Sequence, residues 1–406
     1  MADIRQYRKD KETAEVDLDR DDSSHDDYRR RIKRHRARIR VAIIGAGILC
    51  IFVIIIISII KYNMNYGSYT VKASVDINDS GYTRYLDFGG GFVRYSRDGI
   101  SLYSYDGTCR WDRTYEINNP LTDVCGNYLA IADAGGSEIY LFNKDGYVAA
   151  INTALPISQI NVSSQGLVAA ILTDGTASNI NMYNQDGSKI YNIKTTVDGD
   201  GVPVSMSVSD DGSKLVVAYT AVKGQELATS VVFYNFDEVG QNEVERIVGG
   251  YDTYGSQLVS KVEFINSDTV VAFGENIISF FRINEYPKQL KDIDIDYRIR
   301  KVFYSGSYVG VCHSSDNAAT VDVYDTSGNV VMTREVPDDY NNFVFGESTL
   351  VMYGADKCNI VNMKGKEIFQ YDFEDDIIDL IPLDGNTGFL YHSSGRMQQI
   401  VLKHGG

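Results

Sequence analysis

The sequence has few prolines and cysteines and a single tryptophan. Of its 406 residues, only six are Pro, five are Cys and one is Trp. No C-x-x-C pair occurs, which excludes the usual zinc-ribbon and thioredoxin-like redox motifs. Cys50 lies in an apolar run, and Cys109, Cys125, Cys312 and Cys358 follow it. These four permit three disulfide pairings in an oxidising setting, but their strand-like surroundings also suit small buried thiols.

The motifs of common enzymes and metal sites are missing as well. No G-x-S-x-G is present, and His313, His392 and His404 are the only histidines after residue 60. Hydrolytic triads and histidine-based zinc sites are therefore unsupported. From the sequence we predict no catalytic residue, no cofactor and no enzyme activity.

One acidic stretch has the spacing of a calcium-binding loop. Asp76, Asn78, Ser80 and Asp87 match positions 1, 3, 5 and 12 of such a loop, where oxygen ligands surround a hard cation. However, Arg84 falls at position 9, and Asp replaces the usual Glu at position 12. A turn between two β-strands explains the same residues, so these four form only a weak calcium candidate.

A long apolar run stands near the N-terminus. Val41 to Ile60 contains 20 residues without a charge, and at about 1.5 Å per residue it spans about 30 Å, the thickness of a bilayer's hydrocarbon core. Eight Lys or Arg lie between Arg29 and Arg40, whereas Lys61 is followed by no basic residue until Lys72. The positive-inside rule predicts an uncleaved transmembrane helix with a cytoplasmic N-terminus. The same basic run suits anionic lipid.

This anchor divides the chain. We predict a cytoplasmic segment at residues 1–40, disordered at first and then basic, a transmembrane helix at 41–60, a linker at 61–68 and an extracellular domain at 69–406. Residues 61–406 carry 26 Lys or Arg against 45 Asp or Glu, a balance of −19. Such a surface disfavours nucleic acid and favours basic partners.

The extracellular part contains a repeated hairpin. Six of its eight copies have Gly four residues after a registering residue. A tight hairpin needs a residue with positive φ, and Asp or Asn before it hydrogen-bonds the local backbone. The registering residues are Tyr103, Phe142, Tyr183, Tyr234, Phe281, Tyr324, Val361 and Val401.

The spacing of these hairpins predicts the fold. A period of about 40 to 45 residues with about four strands is typical of β-propeller blades. We therefore predict an all-β, eight-bladed β-propeller preceded by one transmembrane helix, with seven blades, a solenoid or a paired sandwich as alternatives. The last hairpin ends at Gly406 without a fourth strand. We expect Thr70–Ile77 to supply that strand and close the ring, which removes an open edge.

Two resemblances follow from these residues. The hairpin SLYSYDGTCRW, with Trp111 four residues after Gly107, resembles the repeat of quinoprotein-type eight-bladed propellers, although the G-H and W-D pair of WD40 repeats is absent. With its basic tail, Ile-rich anchor and segments such as RYSRDGISLYSYDG and PISQINVSSQGLVAAIL, the chain is similar to a Firmicutes family of single-pass envelope proteins that carries a domain of unknown function. The resemblance implies a Gram-positive cell envelope and no particular activity.

Three long connections border the fourth repeat, at Val197–Gly201, Thr220–Ser230 and Gly249–Ser256. In propellers such connections emerge at a rim, where ligands meet loop side chains held by a rigid scaffold. Here they present an acidic and aromatic patch that suits a basic protein segment or a glycan. The candidate binding residues are Asp198, Asp200, Glu226, Tyr251, Asp252 and Tyr254.

The expected function is that of a non-enzymatic binding or scaffold module, anchored in the cell membrane and exposed outside, whose partner is an envelope protein or a glycan. Two alternatives stay open. An enzyme acting on an extracellular glycan or small molecule would need two carboxylates about 5 to 10 Å apart in the propeller's funnel. A single-pass sensor would need an output domain, and none is recognisable in the tail.

Overall fold

The chain divides into two units, Met1–Met64 and Asn65–Gly406. In the first unit, residues 41–54 and 56 are helical, and their large apolar side chains are exposed. Among the described residues, no helix has the length and mean hydropathy that a membrane crossing requires. The rest of the expected span Val41–Ile60, and most of Arg29–Arg40, lie outside the described residues. The computed structural model describes residues 35, 39, 41–54, 56, 65–77, 83–175, 177–196, 199–314, 318–383 and 385–404.

The second unit is built from β-strands, which confirms the all-β prediction. Within its described part, one helical turn at Glu238–Gln241 and a 3₁₀ turn at Val244–Arg246 interrupt the strands. The strands are β1 (Tyr66–Asp76), β2 (Arg84–Phe88), β3 (Gly91–Tyr95), β4 (Gly99–Tyr103), β5 (Cys109–Thr114), β6 (Pro120–Cys125), β7 (Tyr128–Asp133), β8 (Glu138–Asn143), β9 (Gly146–Asn152), β10 (Ile157–Val162), β11 (Val168–Thr173), β12 (Ala177–Tyr183), β13 (Lys189–Thr196), β14 (Val202–Val208), β15 (Lys214–Lys223), β16 (Glu226–Asn235), β17 (Ile247–Tyr251), β18 (Val259–Phe264), β19 (Thr269–Gly274), β20 (Ile277–Ile283), β21 (Pro287–Asp294), β22 (Ile299–Tyr304), β23 (Tyr308–Ser314), β24 (Ala319–Asp325), β25 (Val330–Val336), β26 (Asn342–Phe345), β27 (Thr349–Tyr353), β28 (Lys357–Asn362), β29 (Glu367–Asp372), β30 (Ile377–Pro382), β31 (Gly388–Ser393) and β32 (Arg396–His404).

Consecutive strands pair in sets of four. In the described part of the chain, β2 to β25 form six four-stranded antiparallel sheets. The remaining strands form one eight-stranded sheet in the order β26-β27-β28-β29-β1-β32-β31-β30, which contains two further sets of four. A repeated four-stranded antiparallel unit is the building block of a propeller.

Strand β1 joins the two ends of the folded unit. It runs antiparallel to the C-terminal strand β32, from Tyr66 opposite His404 to Asp76 opposite Arg396. At its first residue, Tyr66 also pairs in parallel with Phe369 of β29. The fourth strand of the last set therefore comes from the start of the unit, in the segment where Thr70–Ile77 was expected to close the ring.

The core lies between neighbouring sets. Seven buried apolar clusters each join one set to the next along the chain. An eighth returns to the start, because Leu390 and Met397 of the last set pack against Tyr85 and Phe92 of the first. The sets therefore close on themselves, and apolar burial between them is the main stabilising term. This arrangement is a β-propeller.

The hairpin repeat sets the register of this architecture. All eight registering residues, from Tyr103 to Val401, lie in the third strand of a set. The turn glycines Gly107, Gly187 and Gly328 have φ between 77° and 87°, a region that side chains with a Cβ rarely adopt. The repeat predicted from the sequence is confirmed, because these glycines have the expected positive φ and the registering residues occupy the same strand of every set.

One expected loop is a strand pair instead. Thr220–Ser230 belongs to an extended hairpin in which β15 and β16 stay paired as far as Lys223 opposite Glu226. The prediction of a loop was wrong because alternating β-branched and small residues on both sides of Gly224 continue the ladder. Val222 and Leu227 are an exposed cross-strand pair near its tip.

The cysteines are all free. Cys312 and Cys358 are buried inside the propeller, and burial raises the pKa of the Cys358 thiol well above its ordinary value. The interpretation as small buried thiols therefore describes these two. Cys109 is exposed on β5.

Candidate functional site

Polar side chains of the first strands form a series of hydrogen bonds near the propeller axis. The first strand of each of three successive sets touches that of the next, from β6 to β10, β14 and β18. A side chain of each one accepts a backbone N–H from the following first strand, whose edge would otherwise lack that partner. The pairs are Asp123 Oδ2 with Val162 N at 2.6 Å, Asn161 Oδ1 with Val208 N at 2.6 Å, and Ser207 Oγ with Phe264 N at 2.9 Å.

Two carboxylates lie in the same region. Asp123 and Glu263 both line an axial cavity of about 250 Å³. Burial, with a smaller contribution from the charge of Glu263, raises the pKa of Asp123 to about 6. Burial also raises the pKa of Glu263, while Lys261, whose Nζ lies 3.4 Å from Glu263 Oε2, opposes that shift. The region around the axis is therefore polar. Asp123 has a structural role there as a hydrogen-bond acceptor.

A second cavity, the rim cavity, lies between the third and fourth sets and has a volume of about 300 Å³. Outer strand β13 and the strands β15, β16 and β17 form its walls. Ala221 and Ala228 are directly opposed across β15 and β16, and their small side chains leave the space that larger residues would fill. Apolar wall is added by Ile193, Val232 and Ile247.

Two tyrosines with paired hydroxyls line this cavity. The oxygens of Tyr219 and Tyr234 are 2.9 Å apart, and both side chains are buried. Their single hydrogen bond uses only one of the two hydroxyl hydrogens. Within the described chain, neither hydroxyl has a second partner, so one buried donor remains to be satisfied. A hydrogen-bond acceptor in the cavity would satisfy it.

The rim cavity is acidic. Its charged lining residues are Asp200, Glu245, Asp252 and one cation, Lys194. Asp200 is held in place in the lining because its Oδ2 accepts the backbone N–H of Thr196 at 3.1 Å. Three carboxylates against one ammonium group leave a net negative charge, which favours a cationic group with an apolar stem.

A strained turn places Glu245. Glu245 and Arg246 have φ of 53° and 60°, a conformation that non-glycine residues adopt at a cost. The surrounding side chains hold it in place. The Tyr191 hydroxyl donates to the Glu245 carbonyl at 3.1 Å, and the Arg246 guanidinium lies over the Tyr191 and Phe236 rings at 5.2 and 6.0 Å.

The structure divides the candidate patch. Asp200 and Asp252 line the rim cavity, whereas exposed Glu226 at the hairpin tip is not among its lining residues. Tyr251 is half-buried, and its hydroxyl donates to Pro287 O and accepts from Gln289 N, each at 3.2 Å. Tyr254 is buried, and Asp198 lies outside the described residues.

The aromatic part of that expected patch is therefore corrected. Tyr254 is a buried member of the cluster between the fourth and fifth sets, and half-buried Tyr251 packs against that cluster. The physical reason is the large apolar area of a tyrosine ring, which is more stable in a core than on a rim. The expectation of a binding surface beside the fourth set stays a prediction.

The weak calcium candidate is only partly visible. Asp76 is exposed at the end of β1, and Asp87 accepts a hydrogen bond from the Tyr105 hydroxyl at 2.6 Å. Asn78 and Ser80 lie outside the described residues. In the ranges that are described, no group of three or more His, Cys, Asp or Glu is placed to hold a metal ion.

Several cavity residues escaped the sequence reasoning. Tyr219 and Glu245 carry no motif, and Tyr234 was recognised only as a register residue. Alternation within AYTAVKGQELATSVVFY places Tyr219, Ala221, Ala228 and Tyr234 on one face once the hairpin is recognised. The strained turn at Glu245 has no sequence signal.

The ring of four-stranded sets makes this chain a β-propeller protein, and solved structures agree on that fold. BamB from Moraxella catarrhalis is similar with 12% identity and a TM-score of 0.53, over 82% of this chain and 100% of that chain. A eukaryotic initiation factor is similar with 12% identity and a TM-score of 0.54, over 80% of this chain and 87% of that chain. At such identities the likeness shows the fold alone.

The sequence itself assigns the chain to a family. It belongs to DUF5711, a family of unknown function, whose sequence model matches residues 62–402. Among curated proteins, none matches the sequence.

Proposed function

We propose that this protein is a membrane-anchored β-propeller that acts as a non-enzymatic binding module of the cell envelope, and that its rim cavity holds a basic segment of a protein partner. The observation that carries the proposal is the acidic rim cavity between the third and fourth sets. Its carboxylates and its unsatisfied tyrosine hydrogen match a segment with a cationic side chain and a backbone carbonyl.

We propose that this propeller has eight blades. The six separate sheets supply six, and the two sets within the eight-stranded sheet supply two more. Strand β1 then belongs to the last blade, and its pairing with β32 joins the N-terminal and C-terminal ends of the ring. The eight clusters between sets support this count, because each blade would share one with each neighbour.

The anchoring is supported by the uncharged run Val41–Ile60 and by the basic residues before it. The family match begins at residue 62, directly after that run. In this topology the propeller stands outside the cell and the N-terminus inside.

The exposed Cys109 tests this topology. We expect a membrane-impermeant maleimide to label the protein in intact cells, because the Cys109 thiol lies on the outer strand β5. The variant Cys109→Ser supplies the control for the half-buried Cys125. Labelling of Cys109 only after lysis would place the propeller inside and refute the topology.

A basic protein segment suits the rim cavity better than a neutral glycan does. The cavity has more carboxylates, Asp200, Glu245 and Asp252, than cations, of which Lys194 is the only one in the lining. A cationic side chain would therefore be attracted to the cavity, while its methylene stem contacts Ala221 and Ala228. A neutral sugar would not compensate these charges.

Titration with a matched pair of peptides tests the proposal. The full chain in detergent micelles is titrated with a short arginine-containing peptide and with its citrulline analogue, which is neutral and nearly isosteric. We expect the arginine peptide to bind at least about tenfold more tightly, because only it places a charge among the carboxylates. Equal affinity for the two peptides, or no binding of either, would contradict the proposal.

A further inference from the structure

The first strands carry a second regular feature, a β-bulge near the start of the strand. Four of them, β10, β18, β22 and β30, shift register between their first and third residues, and β14 does so between its second and fourth. A bulge inserts one unpaired residue and re-aims its side chain. All five inserted residues are exposed, and they are Ser158, Val204, Ser260, Arg300 and Ile378.

Four of these bulges, all except the one in β30, border two adjoining cavities, which share Ser260 and Lys261. The cavity between the fifth and sixth sets, here called the basic cavity, has a volume of about 670 Å³. The bulged residues of the third and fourth sets are Ser158 and Val204. In the sixth set, the bulged residue that lines this cavity is Arg300. The bulge therefore aims a guanidinium at this cavity.

Four cations line the basic cavity, namely Lys261, Arg298, Arg300 and Lys301. They are four of the 26 Lys and Arg in residues 61–406, a stretch with 45 Asp and Glu. Against the two lining carboxylates Glu275 and Asp296, these four cations leave a net positive charge, opposite in sign to the net charge of residues 61–406.

The hydrogen bonds show which of these charges are compensated. Lys261 lies 3.4 Å from Glu263, and Arg300 Nη1 lies 2.8 Å from Asp338. Lys301 Nζ instead donates to neutral oxygens, Asn341 O at 3.3 Å and Asn342 Oδ1 at 3.1 Å. Arg298 is exposed and has no partner among the described residues. Two cations thus remain without a carboxylate partner.

The lining also includes two carboxylates, Glu275 and Asp296. Both side chains are exposed, where water screens them, and neither makes an ion pair of 4 Å or less with a described cation of this cavity. Arg300 uses only Nη1 toward Asp338, so its other guanidinium donors remain for a ligand. A planar guanidinium recognises the two oxygens of a carboxylate or phosphate in parallel.

We propose that the basic cavity binds a small organic anion with a phosphate or carboxylate group, held by Arg298, Arg300 and Lys301. Its volume exceeds the need of a bare ion and matches that of small-molecule sites. Exposed Val204 adds apolar surface to the adjoining cavity. This site is distinct from the rim cavity, which has the opposite charge.

Anion titrations of the full chain in micelles test this inference. Inorganic phosphate and acetate are each titrated against chloride at equal ionic strength, with thermal unfolding and ³¹P line broadening as readouts. We expect at least one oxyanion to raise the melting temperature beyond the effect of chloride. A response to phosphate alone would identify a phosphate ligand, and a response to acetate alone a carboxylate.

Variants locate the effect. Arg298→Gln with Lys301→Gln should weaken oxyanion binding at least about tenfold. The control Lys189→Gln with Lys288→Gln removes the same charge from exposed positions on outer strands β13 and β21 and should leave binding unchanged. The inference is overturned if phosphate and acetate act as chloride does, or if both double variants bind equally.

Discussion

Deletion of strand β1, residues 66–76, is expected to lower the melting temperature by about 10 °C or more and to make the propeller prone to association. The strand pairs with β32 over nine residue positions, and each backbone hydrogen bond contributes about 0.5 to 1.5 kcal/mol net. A loss on the order of 5 kcal/mol corresponds to a shift of that size in a large domain. The exposed edge of β32 would then recruit other strands.

Differential scanning calorimetry of the full chain in micelles measures this effect. Deletion of residues 2–12 is the matched control, because it removes as many residues as β1 contains, 11, and leaves the ring intact. An unchanged melting temperature after removal of β1 would show that the ring is closed without it.

The second large effect is expected for Asp123→Asn, which should stabilise the propeller by about 2 kcal/mol at pH 7. Burial raises the pKa of this carboxyl from 3.8 to about 6 in the folded state, so folding favours the protonated form. Asp123 therefore stabilises the fold at low pH, and this contribution is lost as the pH rises from about 4 to 6. The amide oxygen of Asn can still accept the Val162 N–H.

Chemical denaturation of both proteins between pH 4 and 7 measures the difference. The variant should gain stability relative to the wild type as the pH rises, and the two should converge near pH 4. Asp112→Asn, at an exposed position on β5, controls for the loss of one surface charge. A less stable variant at pH 7 would mean that the ionised carboxylate is required, and it would favour the alternative of an enzyme at the propeller axis.

The fold was largely predictable because its turns carry strong local chemistry. The positive φ at Gly107 and Gly187 is a requirement that the sequence shows directly. Once one hairpin is aligned, the period follows, and so does the need for a strand beside the last one. The spare segment at Thr70–Ile77 is recognisable because its neighbours already form complete sets.

The candidate site was less predictable because it depends on tertiary neighbours. Asp200 and Asp252 were identified from loop composition, but the same criterion selected Tyr254, which is buried in the core, and Tyr251, which packs half-buried against it. Whether an aromatic residue near a rim faces solvent depends on the next set, which local sequence does not specify. The segment YRIRKVFY does show Arg298, Arg300 and Lys301 as a basic run, and it is the signal that could have indicated the basic cavity.

The claim that the rim cavity binds a basic side chain is tested most directly by a double-mutant cycle between Asp252 and the peptide arginine. Wild type and Asp252→Asn are each titrated with the arginine peptide and its citrulline analogue. Because the two charges would meet in the cavity, we predict a coupling free energy of at least about 1 kcal/mol. If Asp252→Asn weakens the binding of the arginine peptide and of the citrulline peptide equally, the coupling free energy is zero. That result would contradict the account.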